Sequence, residues 1–149
     1  MSIRLATVAD AGEIRALVLS LSHFYLAPEQ SGLPVWLLDT LTLSEFEGRL
    51  NGPDHYNYVF EMDGAIAGYL CFKGKNYLYH LFVAERHQGQ GVAKQLWQYA
   101  IAALKEKSYL VNSSLFAVPV YEKLGFRKVA DKAYREGIGY QPMRYDTGQ

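Results

Sequence analysis

A chain of 149 residues, half of them apolar and a fifth charged, has enough apolar surface for a core of its own and reads as one folded domain over residues 1–149. Its 15 Lys and Arg balance 15 Asp and Glu, which speaks against a nucleic-acid surface, and no apolar run is long enough to span a bilayer. The single cysteine, Cys71, has no partner for an internal disulfide, no Cys/His spacing suits a metal, and the first residues lack a secretory apolar stretch, so a cytoplasmic setting is expected.

Ser2 to Thr7 alternates enough to be a first strand. Asp10 is the predicted N-cap of a helix with Glu13 at its N3 position, and Ile14, Leu17, Val18, Leu21 and Phe24 or Tyr25 follow at helical spacing. Pro28, Gly32 and Pro34 make residues 27–35 a loop, and Trp36 to Leu41 a short helical turn. Ser44 and Glu47 offer a second capping box, opening a helix that ends near Leu50.

Aromatic and β-branched content makes Tyr56 to Met62 a strand, Asp63-Gly64 a two-residue hairpin turn and Ala65 to Lys73 the returning strand. Cys71 lies in an apolar stretch of that strand and reads as a small core side chain. Tyr77 to Val83 is almost unbroken in its apolar character, as a central strand would be. From Gln90 the pattern turns helical, with Val92, Leu96, Trp97, Ala100, Ile101 and Leu104 on one face. Tyr109 to Asn112 is a short strand. A short helix then begins around Ala117 or Val118, tolerates Pro119 in its first turn and stops at Gly125. Phe126 to Ala133 and Tyr140 to Tyr145 are the last expected strands, separated by a loop near Gly137-Ile138-Gly139. The sum is a mixed α/β layer structure.

The most telling stretch is Gln88-Gly89-Gln90-Gly91-Val92-Ala93, placed between a strand and a helix. Glycines admit a ligand close to the backbone, and the helix start offers unpaired N–H groups and a partial positive charge. Such a corner suits a phosphate or pyrophosphate. A dinucleotide fingerprint needs a third Gly or Ala where Lys94 stands, and a P-loop needs four residues between its glycines, so both fail. The pattern Gln/Arg-x-x-Gly-x-Gly/Ala fits through Gln88, Gly91 and Ala93.

With its approach from Tyr79, this stretch resembles the acetyl-CoA motif of the GCN5-related N-acetyltransferases, the GNAT superfamily. A second block, from Val111 to Phe126, resembles the strand–helix motif that follows it there. The resemblance implies a central, mostly antiparallel sheet of about six to seven strands, flanked by about four helices and splayed at its central strands. It also implies transfer of an acetyl group from acetyl-CoA to a primary amine by direct attack. The amides of Gln88, Gly89, Gln90, Gly91, Val92 and Ala93 would take the pyrophosphate, with help from Lys94. The backbone of Leu81, Phe82 and Val83 would pair with the pantetheine arm. Tyr121 matches the family's tyrosine, a phenol able to protonate the departing thiolate. Asn112 and Ser114 match positions that contact the coenzyme arm, although backbone capping explains them equally well. Lys123 reads as a surface lysine.

Many relatives carry a glutamate on the central strand, where this chain has Tyr77-Leu78-Tyr79-His80. His80 is the candidate base by its pKa range. Simple alternation puts it on the face of Leu78 and Phe82, where a core histidine is the competing reading. Glu61, acting through water, is the other carboxylate weighed. The acceptor amine, on a small molecule or a protein, is expected between residues 11–50 and the C-terminal strands. The candidates there are His23, Phe24, Tyr25, Trp36, Asp39, Glu47, Tyr134, Arg135, Glu136 and Tyr140, where aromatics beside carboxylates suit an ammonium. A non-catalytic acyl-CoA sensor on the same fold is the alternative. The C-terminal strands offer an edge through which a homodimer could form.

Overall fold

A computed structural model describes residues 2–22, 35–135 and 138–148. The first strand, β1 (Ser2–Leu5), lies at one edge of the sheet and pairs antiparallel with β2 (His55–Met62). A 3₁₀ turn at Val8–Asp10 leads into α1 (Ala11–Ser20). Asp10 stands at the N-cap position of α1 as expected, but its side chain makes no cap bond there. Thr7 is the N-cap of the 3₁₀ turn, and the Asp10 carboxylate accepts its N–H at 2.8 Å. Both outer nitrogens of Arg4 also reach Asp10 at 2.8 Å, and Nε of Arg4 bonds Glu61. Glu13 does not cap at all, and instead accepts the Ile66 N–H at 2.6 Å, tying α1 to the sheet.

The Arg4 guanidinium holds the Asp10 carboxyl below its usual value. A depressed carboxyl stabilises the fold above the unfolded pKa of about 4 and loses that contribution as pH falls through the lower folded value. Asp10→Asn is therefore expected to lower stability at neutral pH by about 1 kcal/mol. Denaturant unfolding at pH 7 and at pH 3 checks this, because the difference from the parent should shrink at the lower pH.

The chain continues through α2 (Val35–Leu38), a 3₁₀ turn at Asp39–Leu41 and α3 (Leu43–Asn51). Thr42 rather than Ser44 caps α3, accepting the Glu45 N–H at 3.2 Å, because the box Thr42-x-x-Glu45 starts one turn before the buried Phe46. The Asp63-Gly64 hairpin forms with φ values of 54° and 78°, and joins β2 to β3 (Ala65–Lys73). Next come β4 (Tyr77–Val83), α4 (Val92–Leu104), β5 (Ser108–Ser114) and α5 (Val118–Leu124). Pro119 falls in the first turn of α5, and Gly125 ends it at φ 110°.

The last stretch departs from expectation. Residues 126–133 form two short strands, β6 (Arg127–Lys128) and β7 (Ala133–Arg135), which pair with different parts of β8 (Ile138–Asp146). Pro142 explains the break. Its carbonyl accepts the Val129 N–H at 3.2 Å, so its missing N–H faces the same side, and the ladder stops there. The Gln141 side chain fills in by donating to the Ala130 carbonyl at 2.7 Å. Among the described residues the sheet thus has eight strands in the order β1-β2-β3-β4-β5-β8-β6, with β7 also on β8 and only β4–β5 parallel.

Two apolar layers cover its faces. One gathers Tyr58, Leu70, Phe72, Leu78, Leu96, Trp97, Tyr109 and Tyr121 under α4 and α5. The other gathers Ile14, Leu17, Val18, Phe46, Val59, Tyr69 and Cys71 under α1 and α3. Cys71 is the core residue its neighbours imply, and burial pushes its thiol up to about 11.

Candidate active site

The predicted phosphate loop forms at the end of β4. Gly89 and Gly91 lie at φ 77° and 83°, in the left-handed region where a side chain is strained. The first backbone bond to close α4 is the Gln95 N–H onto the Gly91 carbonyl at 3.0 Å. The N–H groups of Val92, Ala93 and Lys94 therefore lie ahead of the helical ladder and point out of its N-terminus. Left-handed glycines followed by a helix start make a concave set of amides suited to an anion. The neutral Gln88 side chain turns away from that concavity: its Nε2 donates to the Val83 carbonyl at 3.1 Å. Gln90 similarly bonds the Arg86 carbonyl at 3.3 Å, so both glutamines shape the loop. Lys94 is exposed beside it.

A gap opens next to this corner. β4 pairs with β5 only at Tyr77↔Leu110 and Leu78↔Val111. Beyond Leu78 the two strands separate, and Leu81, Phe82 and Val83 keep their ladder with β3 alone among the described strands. A single extra residue accompanies the parting. Cys71 pairs with His80 and Phe72 with Leu78, which leaves Tyr79 as a bulge.

The bulge overturns the simple alternation expected for β4. Leu78 packs in the α4 layer, as do Leu81 and Val83, whereas Tyr79 and Phe82 pack in the α1–α3 layer. His80 goes with the latter pair: its ring centroid is 5.9 Å from Phe46 and 6.1 Å from Tyr69. So His80 does not share a face with Leu78. Its Nε2 is enclosed without a hydrogen-bond partner. Burial, reinforced by the Arg49 cation and the neighbouring His55, holds this imidazole well below the usual histidine range and hence neutral at pH 7.

Tyr121 reaches the sheet from the opposite side. It is 5 % exposed, in the α4 layer, with its ring 5.4 Å from Phe126. Asn112 donates to the Tyr77 hydroxyl at 3.1 Å, bridging β4 and β5 just where they begin to part. The Ser114 hydroxyl accepts the Ala117 N–H at 3.2 Å and so shapes the entry to α5. Ser114 thus has the backbone-capping role weighed for it, whereas Asn112 bonds a side chain on another strand. Lys123 is exposed.

Glu61 is removed from the centre altogether: it lies at the β1 edge, bonded to Arg4 and opposite Ser2. Of the residues expected near the acceptor, the Arg135 guanidinium stands 4.2 Å over the Trp36 ring, so the fold brings these two together. Asp39, Glu47 and Tyr134 are exposed. His23, Phe24, Tyr25 and Glu136 lie outside the described residues, as does Gly137 of the expected loop. Arg49 was not singled out from the sequence. It stands four residues after Glu45, which reads as a surface ion pair, yet it is 6 % exposed. Its spacing of three from the buried Phe46 was the available signal, since that spacing puts both on one helix face.

The sequence profile of the acetyltransferase (GNAT) domain matches residues 25–147. No curated protein matches the sequence. Among solved structures, a GCN5-related N-acetyltransferase from Rhodopseudomonas palustris superposes with a TM-score of 0.78 at 19% identity, over 97% of this chain and 94% of that one. The PaiA N-acetyltransferase from Thermoplasma acidophilum, in complex with coenzyme A, gives 0.78 at 13% identity, over 98% and 99% of the two chains. The ribosomal-protein-S18-alanine N-acetyltransferase from Escherichia coli gives 0.71 at 14% identity, over 99% and 94%. A profile covering most of the residues, the amide corner at α4 and the parted central strands converge, and the chain belongs to the GNAT acetyltransferase family.

Proposed function

We propose that the protein is a cytoplasmic N-acetyltransferase that carries an acetyl group from acetyl-CoA to a primary amine by direct attack. The observation that carries this reading is the cradle of outward amides at residues 92–94, opening beside the gap between β4 and β5. A diphosphate held there leaves the rest of the coenzyme free to run into the gap, along the backbone of Leu81, Phe82 and Val83. That fixes the thioester before the amine arrives, and such positioning is a large share of a two-substrate rate gain. The amine approaches from the α1–α3 face, where His80 takes its proton. Tyr121, on the α4–α5 face, gives a proton to the departing thiolate. An acid and a base on opposite faces of a parted sheet do not compete for one another's proton.

The direct test is to incubate the protein with acetyl-CoA and an amine panel and follow free thiol. Thiol release with at least one amine is expected. Binding of coenzyme A without release across the panel would support the sensor reading instead, and no binding by calorimetry would remove both.

His80 has its own test. It accepts a proton only while neutral, so kcat/KM is expected to fall only when pH drops below a pKa lying well under the usual 6.5 or so. His80→Ala should abolish that acid limb and lower kcat/KM by about tenfold to a hundredfold. A pH–rate profile identical to the parent's would take His80 out of the reaction.

A further inference from the structure

Among the described residues, little offsets the Arg49 cation. It lies on α3 with its guanidinium between the rings of Phe46, 4.6 Å away, and Tyr79, 5.4 Å away. Nη2 donates to the Thr40 carbonyl at 2.7 Å. Nη1 comes no nearer than 4.0 Å to Glu45, whose own side chain is more than half exposed. Nε is buried and bonds nothing. Burying a cation without a close anion is unfavourable, and among the described residues none comes nearer than Glu45, so the charge calls for an anion from outside them. The titratable groups facing it among the described residues, His80 on β4, His55 on β2 and Tyr69 and Cys71 on β3, supply no negative charge at pH 7, since burial pushes the phenol and the thiol up and the imidazoles down.

The position matters as much as the deficit. His80 packs on the same two rings as Arg49, with its Nε2 also enclosed and unbonded. The unmet positive charge therefore borders the place where the amine loses its proton.

We propose that Arg49 selects the acceptor: its guanidinium receives a carboxylate carried by the same molecule as the accepting amine. The substrate class is then an amine-bearing carboxylic acid, not a simple alkylamine or polyamine. A planar guanidinium with an unbonded N–H matches a carboxylate in shape and charge. A free amino acid and an acidic side chain on a peptide both supply this chemistry. The proposal rests on the acetyl-transfer reading above, and its test separates the two.

Thiol release is measured for matched acceptors that differ in the carboxylate: lysine against cadaverine, 4-aminobutyrate against butylamine, and a C-terminally amidated Ala-Glu peptide against its Ala-Gln counterpart. Carboxylate bearers should exceed their partners at least tenfold in kcat/KM, and the winning pair says whether the source is an amino acid or a peptide. Arg49→Gln should bring the ratio near one, chiefly through KM, and Arg49→Lys should restore part of it. Equal or better rates with the uncharged partners on the parent protein would overturn the proposal without any variant. A binding arm is independent of turnover: N-acetyllysine and N-acetyl-4-aminobutyrate should raise the melting temperature of the parent and not of Arg49→Gln. If no amine releases thiol, acetyl transfer falls while this arm still judges Arg49, and no stabilisation by either acid would then overturn it.

Discussion

Tyr121→Phe is expected to slow thiol release about a hundredfold while leaving coenzyme A affinity unchanged. In the proposed mechanism the phenol protonates the departing thiolate, and removing a general acid typically costs two or more powers of ten, roughly 3 kcal/mol of barrier. The substitution keeps the ring, so packing against Phe126 at 5.4 Å and burial within the α4 layer persist. Stability should therefore change by no more than about 1 kcal/mol, the usual worth of a hydroxyl's bonding. Single-turnover kinetics with saturating acetyl-CoA, beside calorimetric titration of coenzyme A, separates the two outcomes. A variant with the parental single-turnover rate would show that the thiolate leaves without help, and Tyr121 would be a core residue only. A variant that loses coenzyme affinity to the same extent as rate would show that Tyr121 binds rather than reacts.

The glycine loop and the start of α4 could be read from the sequence because their signals are local. Two glycines, a strand before them and a helical stripe from Val92 after them depend on backbone geometry within a few residues, and the helix buries the face that its spacing marks. The Asp63-Gly64 hairpin and the Gly125 stop are of the same kind. What failed was decided at a distance. Alternation along β4 assumed an unbroken ladder, but the extra residue at Tyr79 is set by pairing with Cys71 and Phe72 on another strand. It turns His80 from the face of Leu78 to the face of Phe46. The split of residues 126–133 is set by Pro142, which follows in sequence and lies across the sheet. Asp10 looked like a cap because Glu13 stood three residues on, yet Arg4 and Ile66 engage those carboxylates instead. Charged groups are the least local of all: Glu61 is drawn to Arg4, and Arg49 is buried by the closure of α3 on the sheet.

Gly68 shows how such a distant contact can govern the site. It lies in the middle of β3, where glycine is otherwise a poor strand residue. A Cβ there would come within 2.8 Å of Leu96 Cδ1, 2.9 Å of Val92 Cγ1 and 3.5 Å of the Phe82 carbonyl. Val92 opens α4, so the missing side chain sets how closely the amide-bearing end of the helix approaches the sheet. Gly68→Ala meets the end of Leu96 and a γ-methyl of the β-branched Val92, both buried, and should cost about 2 kcal/mol; Gly68→Val adds two methyls more and should cost about 3 kcal/mol. If the helix yields as a unit, the amides of Val92, Ala93 and Lys94 move with it. Coenzyme A affinity should then fall about tenfold in Gly68→Val, although the residue touches no ligand. Melting curves and calorimetric titration measure the two effects separately. Lost stability with intact affinity would mean that Leu96 and Val92 repack and α4 stays in place. Parental values of both would mean that the close approach of α4 to β3 is not required, and that the loop alone positions its amides.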